Sequence, residues 1–461
     1  MIGEDPAIEE LLALKPYSLA SADKKRVYGH MLSALTGYHR AHCSLYRKLT
    51  DGLCGRGTVA GAGTGTAAAF DRYYGSAAHT DAGDEAGVGI RTDAEDEAGI
   101  GIRADAGDEA GFGFRADAGD EAGFGFRADA EDKFGIDKGT AAENAAGACE
   151  NCDEASPEHF SEEDIPMLHV GLFKDFELKS VPDEEVFKSM TSSGTTGQRV
   201  SNIVLDRKTA ADQQKALVSI VSDFIGDERL PFLIIDSCDV LKNRNRFSAR
   251  GAGIMGFSIF GSRTCYALDE DMSLNFDRVS EFLEKYKGRK ILVFGFTYII
   301  WKHFYKALLE SGRRLDISNG ILIHGGGWKK LKDEAVSSAE FRRCIRSVSS
   351  MEKIYNYYGM AEQTGCIYME CEEGHLHASI FSDIITRRAG DFSPCGIGEK
   401  GIIEVLSPIP HSYPGHAILT EDEGVIRGED NCPCGRKGKY FDIIGRIEKA
   451  EVRGCSDTYE G

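Results

Sequence analysis

Between Thr80 and Lys138 the chain repeats itself every twelve residues, as TDAGDEAGVGIR, TDAEDEAGIGIR and ADAGDEAGFGFR twice, before decaying through ADAEDKFGIDK. Each unit offers two apolar side chains around a glycine and is otherwise alanine, glycine and acid. That is too little apolar surface to offset the entropy of ordering the chain. The units lack the GGxGxD pattern of calcium-binding β-rolls, and their period is shorter than that of common solenoids. Cys149-Glu-Asn-Cys152 follows without the βαβ context that a redox CxxC needs. The expectation is therefore a disordered acidic insert over residues 58–156 that interrupts one domain. The fold then has to be assembled from an N-terminal helical part, 1–57, and a body, 157–445, with a short tail, 446–461.

The same region disposes of the net charge. Of the chain's −20, residues 80–138 carry −11 and residues 139–165 carry −8. The body is nearly neutral, so neither a nucleic-acid footprint nor a globally acidic enzyme follows. The longest apolar stretch, Ile291 to Trp301, is broken by Gly295 and Thr297 and is too short to span a bilayer. The acidic start, Met1-Ile-Gly-Glu-Asp-Pro-Ala, is unlike a signal peptide. Thirteen scattered cysteines fit a reducing cytoplasm better than a disulfide framework.

In the body, helical and strand patterns alternate. Thr209 to Ile225 has the spacing of a helix, Phe232 to Asp236 of a strand, Leu274 to Tyr286 of a helix, Ile291 to Phe294 of a strand and Thr297 to Leu309 of a helix. Such alternation predicts an α/β fold with a parallel sheet covered on both faces and ligand loops at the carboxyl ends of its strands. Before the insert, Ser21 to Leu49 has apolar residues at helical spacing, with His39 and His42 on that helix in a core or solvated role.

Four loops carry chemistry. Thr191-Ser192-Ser193-Gly194-Thr195-Thr196-Gly197-Gln198 is rich in glycine and hydroxyls, the composition that lets backbone N–H groups and side-chain donors converge on phosphate. Gln198 stands where a Walker loop has lysine, which excludes that class. An ordinary Ser/Thr turn has the same composition, so the loop gains meaning from its company. Gly325-Gly326-Gly327 follows the apolar run Ile321 to Ile323, where a flat ring could lie on bare backbone. Tyr357-Tyr358-Gly359-Met360-Ala361-Glu362-Gln363 places a carboxylate just after an aromatic-glycine turn. Glu421-Asp422-Glu423 follows the apolar run at Ile418 and could hold the hydroxyls of a ribose.

Phosphate loop, adenine platform, metal carboxylate and ribose acid stand here in the order of adenylate-forming enzymes. The set resembles the acyl-, aryl- and luciferase-type adenylating superfamily, and within it the LuxE-type acyl-protein synthetases. The resemblance implies a large adenylation domain with parallel sheet layers. It assigns ATP phosphates to Thr191 through Gly197, adenine to Gly325 through Gly327, Mg²⁺ to Glu362 within the motif Tyr358-Gly359-Met360-Ala361-Glu362, and ribose to Asp422. Ala361 stands where the family has threonine, and the basic residue of the phosphate loop is displaced to Arg199. Asp442 and Arg446 near the hinge are further candidates for ribose or phosphate.

Larger adenylating enzymes continue for roughly a hundred residues beyond the Gly-Arg hinge into a mobile lid, a domain in its own right. After Gly445-Arg446 the sequence gives only a short tail, so the expectation is a truncated lid. LuxE-type proteins carry an acylated cysteine near their C-terminus, a position that Cys455 in Arg453-Gly454-Cys455-Ser456 fits. A thiolate is a strong nucleophile, and Arg453 would favour its ionised form. The expected activity is ATP-dependent activation of a fatty acid and its transfer to Cys455 as a thioester, feeding an acyl reductase or acyltransferase. Two alternatives stand beside it: a coenzyme A ligase of the phenylacetate type, and a nucleotide-binding partner subunit without turnover.

Thiols and imidazoles form a last cluster. Cys371, His375 and His377 lie in one knuckle-like segment and Cys432 and Cys434 in another, a supply sufficient for a four-coordinate structural Zn²⁺ with Cys371, His377, Cys432 and Cys434 as its ligands. Cys366 is an additional candidate, and reduced cysteines at turns beside surface histidines are the alternative.

Overall fold

Asp206 shows how local signals set the body's architecture: its carboxylate accepts from the Thr209 amide at 2.7 Å and so caps the helix that runs from Arg207 to Ile225. The structure, a computed structural model, describes residues 7–54, 160–192, 200–241, 249–328, 331 and 334–447. The expected insert 58–156, Ser193 to Gly197, Arg199 and Cys455 lie outside the described residues.

Described helices, a single turn at Leu172–Asp175 aside, are α1 (Ile8–Leu12), α2 (Ser21–His42), α3 (Ser44–Cys54), α4 (Arg207–Ile225), α5 (Ala249–Ser258) and α6 (Phe276–Lys285). After these come α7, which is α-helical over Thr297–Ile299, π-helical over Ile300–Tyr305 and α-helical again over Lys306–Ser311, and α8 (Ser338–Ser349). The single helix expected over Ser21 to Leu49 is two. Cys43 adopts φ −122° and ψ 98°, which ends α2 and lets α3 turn Tyr46 and Leu49 into a second core cluster, where Cys43 itself packs.

Five strands, β4 (Leu230–Ser237), β5 (Gly261–Leu268), β6 (Ile291–Phe296), β7 (Gly320–Gly325) and β8 (Lys353–Tyr358), form the parallel half of a twelve-stranded sheet in the order β5-β4-β6-β7-β8. Every position of β4, β6 and β7 is buried, as helices on both faces require. The sheet then continues antiparallel, which alternation in the body did not foretell. Its order is β8-β9-β10-β14-β13-β12-β11, with β9 (Tyr368–Glu370), β10 (Leu376–His377), β11 (Asp383–Arg387), β12 (Lys400–Leu406), β13 (Ala417–Glu429) and β14 (Lys439–Arg446). A short strand, β1 (Leu168–His169), adds to β13 in parallel. Separately, β2 (Lys188–Thr191) and β3 (Asn202–Leu205) pair as a hairpin.

The segments flanking the insert are fastened to the body by buried charge. Lys24 of α2 lies 3.4 Å from Asp383 of β11, and Lys439 of β14 lies 3.0 Å from Glu162 and 3.6 Å from Asp383. Lys24 also donates to Ser382 O at 2.7 Å and Lys439 to Ile384 O at 3.0 Å, so both ammonium groups are hydrogen-bonded as well as paired. All described residues fall in one compact unit.

Candidate active site

The carboxyl ends of β7 and β8 supply the centre of the site. Gly325 is in register with Tyr357 across this parallel pair, so Gly325-Gly326-Gly327 and Tyr358-Gly359 leave the sheet side by side. Position 325 has no room for a side chain: a β-carbon there would lie 2.4 Å from the Tyr357 ring. Gly326 has φ +78°, which glycine adopts without strain. The result is a ledge of backbone, buried at Gly325 beside the Tyr357 ring and exposed at Gly326 and Gly327. His324, one residue earlier, turns away from it. Its Nδ1 meets Thr297 Oγ1 at 3.0 Å, and burial pushes the imidazole down to about 3, which keeps it neutral.

Tyr358 donates through Oη to Asp422 Oδ2 at 2.8 Å. Asp422 lies within β13, opposite Arg446 of β14 in the ladder. The Arg446 guanidinium reaches both acids, with Nε 3.6 Å from Asp422 Oδ1 and Nη2 3.7 Å from Glu421 Oε2. Burial raises the Asp422 carboxyl above its ordinary range, while the Tyr358 hydroxyl and Arg446 work against that rise. Burial, and next the Asp422 charge, hold the Tyr358 phenol far above its usual value, so Tyr358 remains a donor.

Glu362 sits in a single 3₁₀ turn, Ala361–Gln363, just beyond β8, and is 5 % exposed. Its main chain is held from below. Tyr413 Oη donates to Glu362 O at 2.7 Å, Gln213 Nε2 donates to that same hydroxyl at 3.2 Å, and Gln363 Nε2 donates to Gly415 O at 2.9 Å. Burial raises the Glu362 carboxyl, the nearby Ser201 hydroxyl lowers it, Glu421 raises it and Arg446 lowers it. Those influences come from β13, β14 and the start of β3, so three sequence-distant motifs converge on one carboxylate.

Thr191 and Ser192, which open the phosphate-loop sequence, stand where β2 ends beside the start of β3. Ser192 N donates to Ser201 O at 3.0 Å and Ser201 N to Ser192 Oγ at 2.9 Å, which closes the neck of the loop beside Glu362. Thr191, opposite Asn202 in the hairpin, is exposed.

Several sequence candidates are placed elsewhere. Asp442 is engaged by His375 Nδ1 at 2.7 Å and Arg427 Nε at 2.6 Å, so its carboxylate is committed to those partners. Cys366 packs against Ser407 Oγ at 3.2 Å and Phe381 O at 3.4 Å, outside the thiol cluster. His39 bonds Ser180 Oγ at 2.7 Å and Pro410 O at 3.2 Å in the core. Cys371, His377, Cys432 and Cys434 do come together, their ligand atoms within 4.8 Å of one another. The sequence did not single out Tyr413 and Gln213, which support the Glu362 turn. Tyr413-Pro414-Gly415 has no periodicity to announce it, and only the folded chain brings that loop and α4 beneath the turn.

The family profile for "Acyl-protein synthetase, LuxE" matches residues 152–460. The long-chain-fatty-acid–luciferin-component ligase of Vibrio harveyi is 25 % identical over 307 residues, covering 64 % of this chain and 76 % of the relative. Its counterpart from Aliivibrio fischeri is 24 % identical over 307 residues, covering 64 % and 77 %. Among solved structures, ATP-bound MatB from Rhodopseudomonas palustris aligns with a TM-score of 0.39 at 16 % identity, over 58 % of this chain and 49 % of MatB. This chain thus spans about half the length of that structure. An open conformation of 2-hydroxyisobutyryl-CoA ligase aligns with a TM-score of 0.46 at 15 % identity, over 64 % and 67 %. No described helix is long and apolar enough to cross a membrane. With the profile covering well over half of the sequence, the chain belongs to the LuxE acyl-protein synthetase family.

Proposed function

We propose that this chain activates a long-chain fatty acid with ATP and transfers the acyl group to Cys455. The observation that carries the reading is the convergence of Glu362, the Tyr358–Asp422–Arg446 set and the Ser192–Ser201 neck in one place. The substrate class is taken from the relatives, which are named for ligating long-chain fatty acids.

A carboxylate is a poor electrophile at neutral pH. In the first step a carboxylate oxygen attacks the α-phosphorus of ATP, the bond from that phosphorus to the pyrophosphate oxygen breaks, and an acyl-adenylate forms. Asp422, fixed by Tyr358 and Arg446, suits the ribose hydroxyls, and the backbone ledge at Gly325 to Gly327 suits adenine. Thr191 through Gly197 supply hydroxyl and amide donors for the phosphates. Glu362 is the residue for Mg²⁺: a buried carboxylate beside a phosphate loop is a hard oxygen donor where negative charge collects. The ion, when bound, neutralises charge on the phosphates. In the second step the Cys455 thiolate attacks the acyl carbonyl carbon, AMP leaves with the electron pair of the anhydride bond, and the thiol proton passes to solvent. A cytoplasmic setting would keep that thiol reduced. The thioester would then serve an acyl reductase or acyltransferase partner.

Intact-mass analysis after incubation with ATP, Mg²⁺ and a panel of fatty acids tests this. One added acyl mass is expected, released by neutral hydroxylamine and lost in Cys455→Ala, while fatty-acid-dependent ATP–pyrophosphate exchange persists in that variant. Full labelling of Cys455→Ala, or acyl transfer to coenzyme A at an undiminished rate in it, would replace this reading with the coenzyme A ligase. Absence of exchange with every acid would leave the non-catalytic nucleotide-binding subunit.

A further inference from the structure

Two turns in the antiparallel half of the sheet share one geometry. Cys371-Glu-Glu-Gly374 follows β9, and Cys432-Pro-Cys-Gly435 connects β13 to β14. In each the glycine amide donates to the cysteine carbonyl three residues earlier, at 3.0 Å in both, and in each the glycine has positive φ, +88° for Gly374 and +84° for Gly435. These turns present Cys371, Cys432 and Cys434 to a common point, and β10 adds His377 from the side.

Two separations within the cluster match the edges of a tetrahedral metal shell, and all four ligand atoms lie within 4.8 Å of one another. Zinc–sulfur and zinc–nitrogen bonds of about 2.3 Å and 2.0–2.1 Å give tetrahedral edges of about 3.8 Å between sulfurs and about 3.6 Å between sulfur and nitrogen. Cys371 Sγ lies 3.9 Å from Cys432 Sγ, and Cys434 Sγ lies 3.4 Å from His377 Nε2. At 3.9 Å the sulfurs are far outside disulfide bonding distance. The His377 ring is held in place between Tyr440, stacked at 5.7 Å, and Tyr17, edge-on at 6.1 Å. The imidazole that gathers with the three thiols is His377, whereas His375 bonds Asp442 through Nδ1.

We propose that Cys371, His377 through Nε2, Cys432 and Cys434 bind one Zn²⁺ as a closed structural site. Three thiolates and one imidazole form a soft, tetrahedral donor set with no position left for water, which favours zinc and gives it no catalytic role. Three thiolates around a divalent ion leave one net negative charge, and Arg436, which lines the same cavity as Cys434, lies where it can offset that charge. The ion would clip the β9–β10 turn to the β13–β14 turn. The β13–β14 ladder runs from that turn to the pair Asp422 and Arg446, so the clip fixes the opposite end of the ladder that positions them.

The experiment is metal analysis of the full-length chain purified under reducing conditions, with X-ray absorption at the zinc edge. One zinc per chain with a shell of three sulfurs and one nitrogen is expected. Cys371→Ser, His377→Ala and Cys432→Ser should lose the metal, while Cys366→Ser and His375→Ala keep it. Cobalt(II) substitution should give the intense sulfur-to-metal charge transfer and tetrahedral ligand-field bands of the same shell. A full-length protein that holds no zinc and takes up none from a zinc buffer would overturn the proposal. So would zinc retained in His377→Ala or lost in His375→Ala, or a Cys371–Cys432 disulfide found by mass in the reduced preparation.

Discussion

Glu362, the proposed Mg²⁺ residue, shows how a buried carboxylate is set against stability. Its carboxyl is almost fully buried and its pKa is raised, with burial the first cause. A carboxylate whose folded pKa exceeds its usual 4.5 costs stability when ionised. That penalty is complete above the raised folded value and disappears as pH falls through it towards 4.5. Glu362→Gln should therefore melt higher than the parent at pH 7, and the gap should close as pH is lowered into that window, as followed by thermal unfolding. The same change should cut ATP–pyrophosphate exchange by about 10²-fold or more, since it removes charge compensation at the phosphates. A variant that is less stable at pH 7, or that keeps full exchange, would place the metal carboxylate elsewhere. At this scale the sequence singled out Glu362, Tyr358 and Asp422 by motif, and the fold brings Tyr358 and Asp422 into contact. The hydrogen bond of Tyr358 to Asp422 and the support from Tyr413 and Gln213 link positions 64, 51 and 200 residues apart, which no local pattern encodes.

Strand ends fix the site through close packing. The Tyr357 ring lies over Gly325 where β7 and β8 run together, and a β-carbon cannot enter without moving the ring or the strands. Gly325→Ala should cost about 1–3 kcal/mol by urea unfolding, the usual range for forcing extra volume into a packed place, and should depress nucleotide binding with it. A cost below about 0.5 kcal/mol would mean that the ring yields freely. Further along the sheet, Lys439 of β14 is buried between Glu162 and Asp383. Lys439→Met leaves two buried acids short of a partner, and breaking such a cluster costs about 3–5 kcal/mol. Equilibrium unfolding checks this, and an unchanged midpoint would show that Lys24 alone satisfies both acids. Alternation revealed the helices and strands of the parallel half because their periods differ. The antiparallel half escaped it: β9 and β10 have three and two residues, too short for a period, and the partners of β13 are set by tertiary register.

For the whole molecule, the repeat divides the sequence without dividing the fold. α2 and α3 precede it, Glu162 and the strands follow it, and Lys24, Glu162, Asp383 and Lys439 join the two sides in one buried charge cluster. Excising residues 58–150 and joining the ends should shift the melting temperature by no more than about 2 °C, because a segment of alanine, glycine and acid contributes little buried apolar surface. A drop of about 10 °C would mean that the repeat packs on the body.

What the sequence determined by itself is what composition, period and spacing can carry. It ordered the motifs of an adenylating enzyme, placed helices and strands in the parallel half, and grouped the thiols and imidazoles into two knuckles. Tertiary structure decided which of those groups meet. His377 rather than His375 joins the three cysteines, while His375 bonds Asp442. Arg446 rather than Asp442 faces the Asp422 acid, because antiparallel pairing of β13 and β14 puts it opposite. The physical reason is common to both. A side chain's chemistry is local, but its partners are chosen by strand register, where a shift of one residue moves every group to the other face of the sheet.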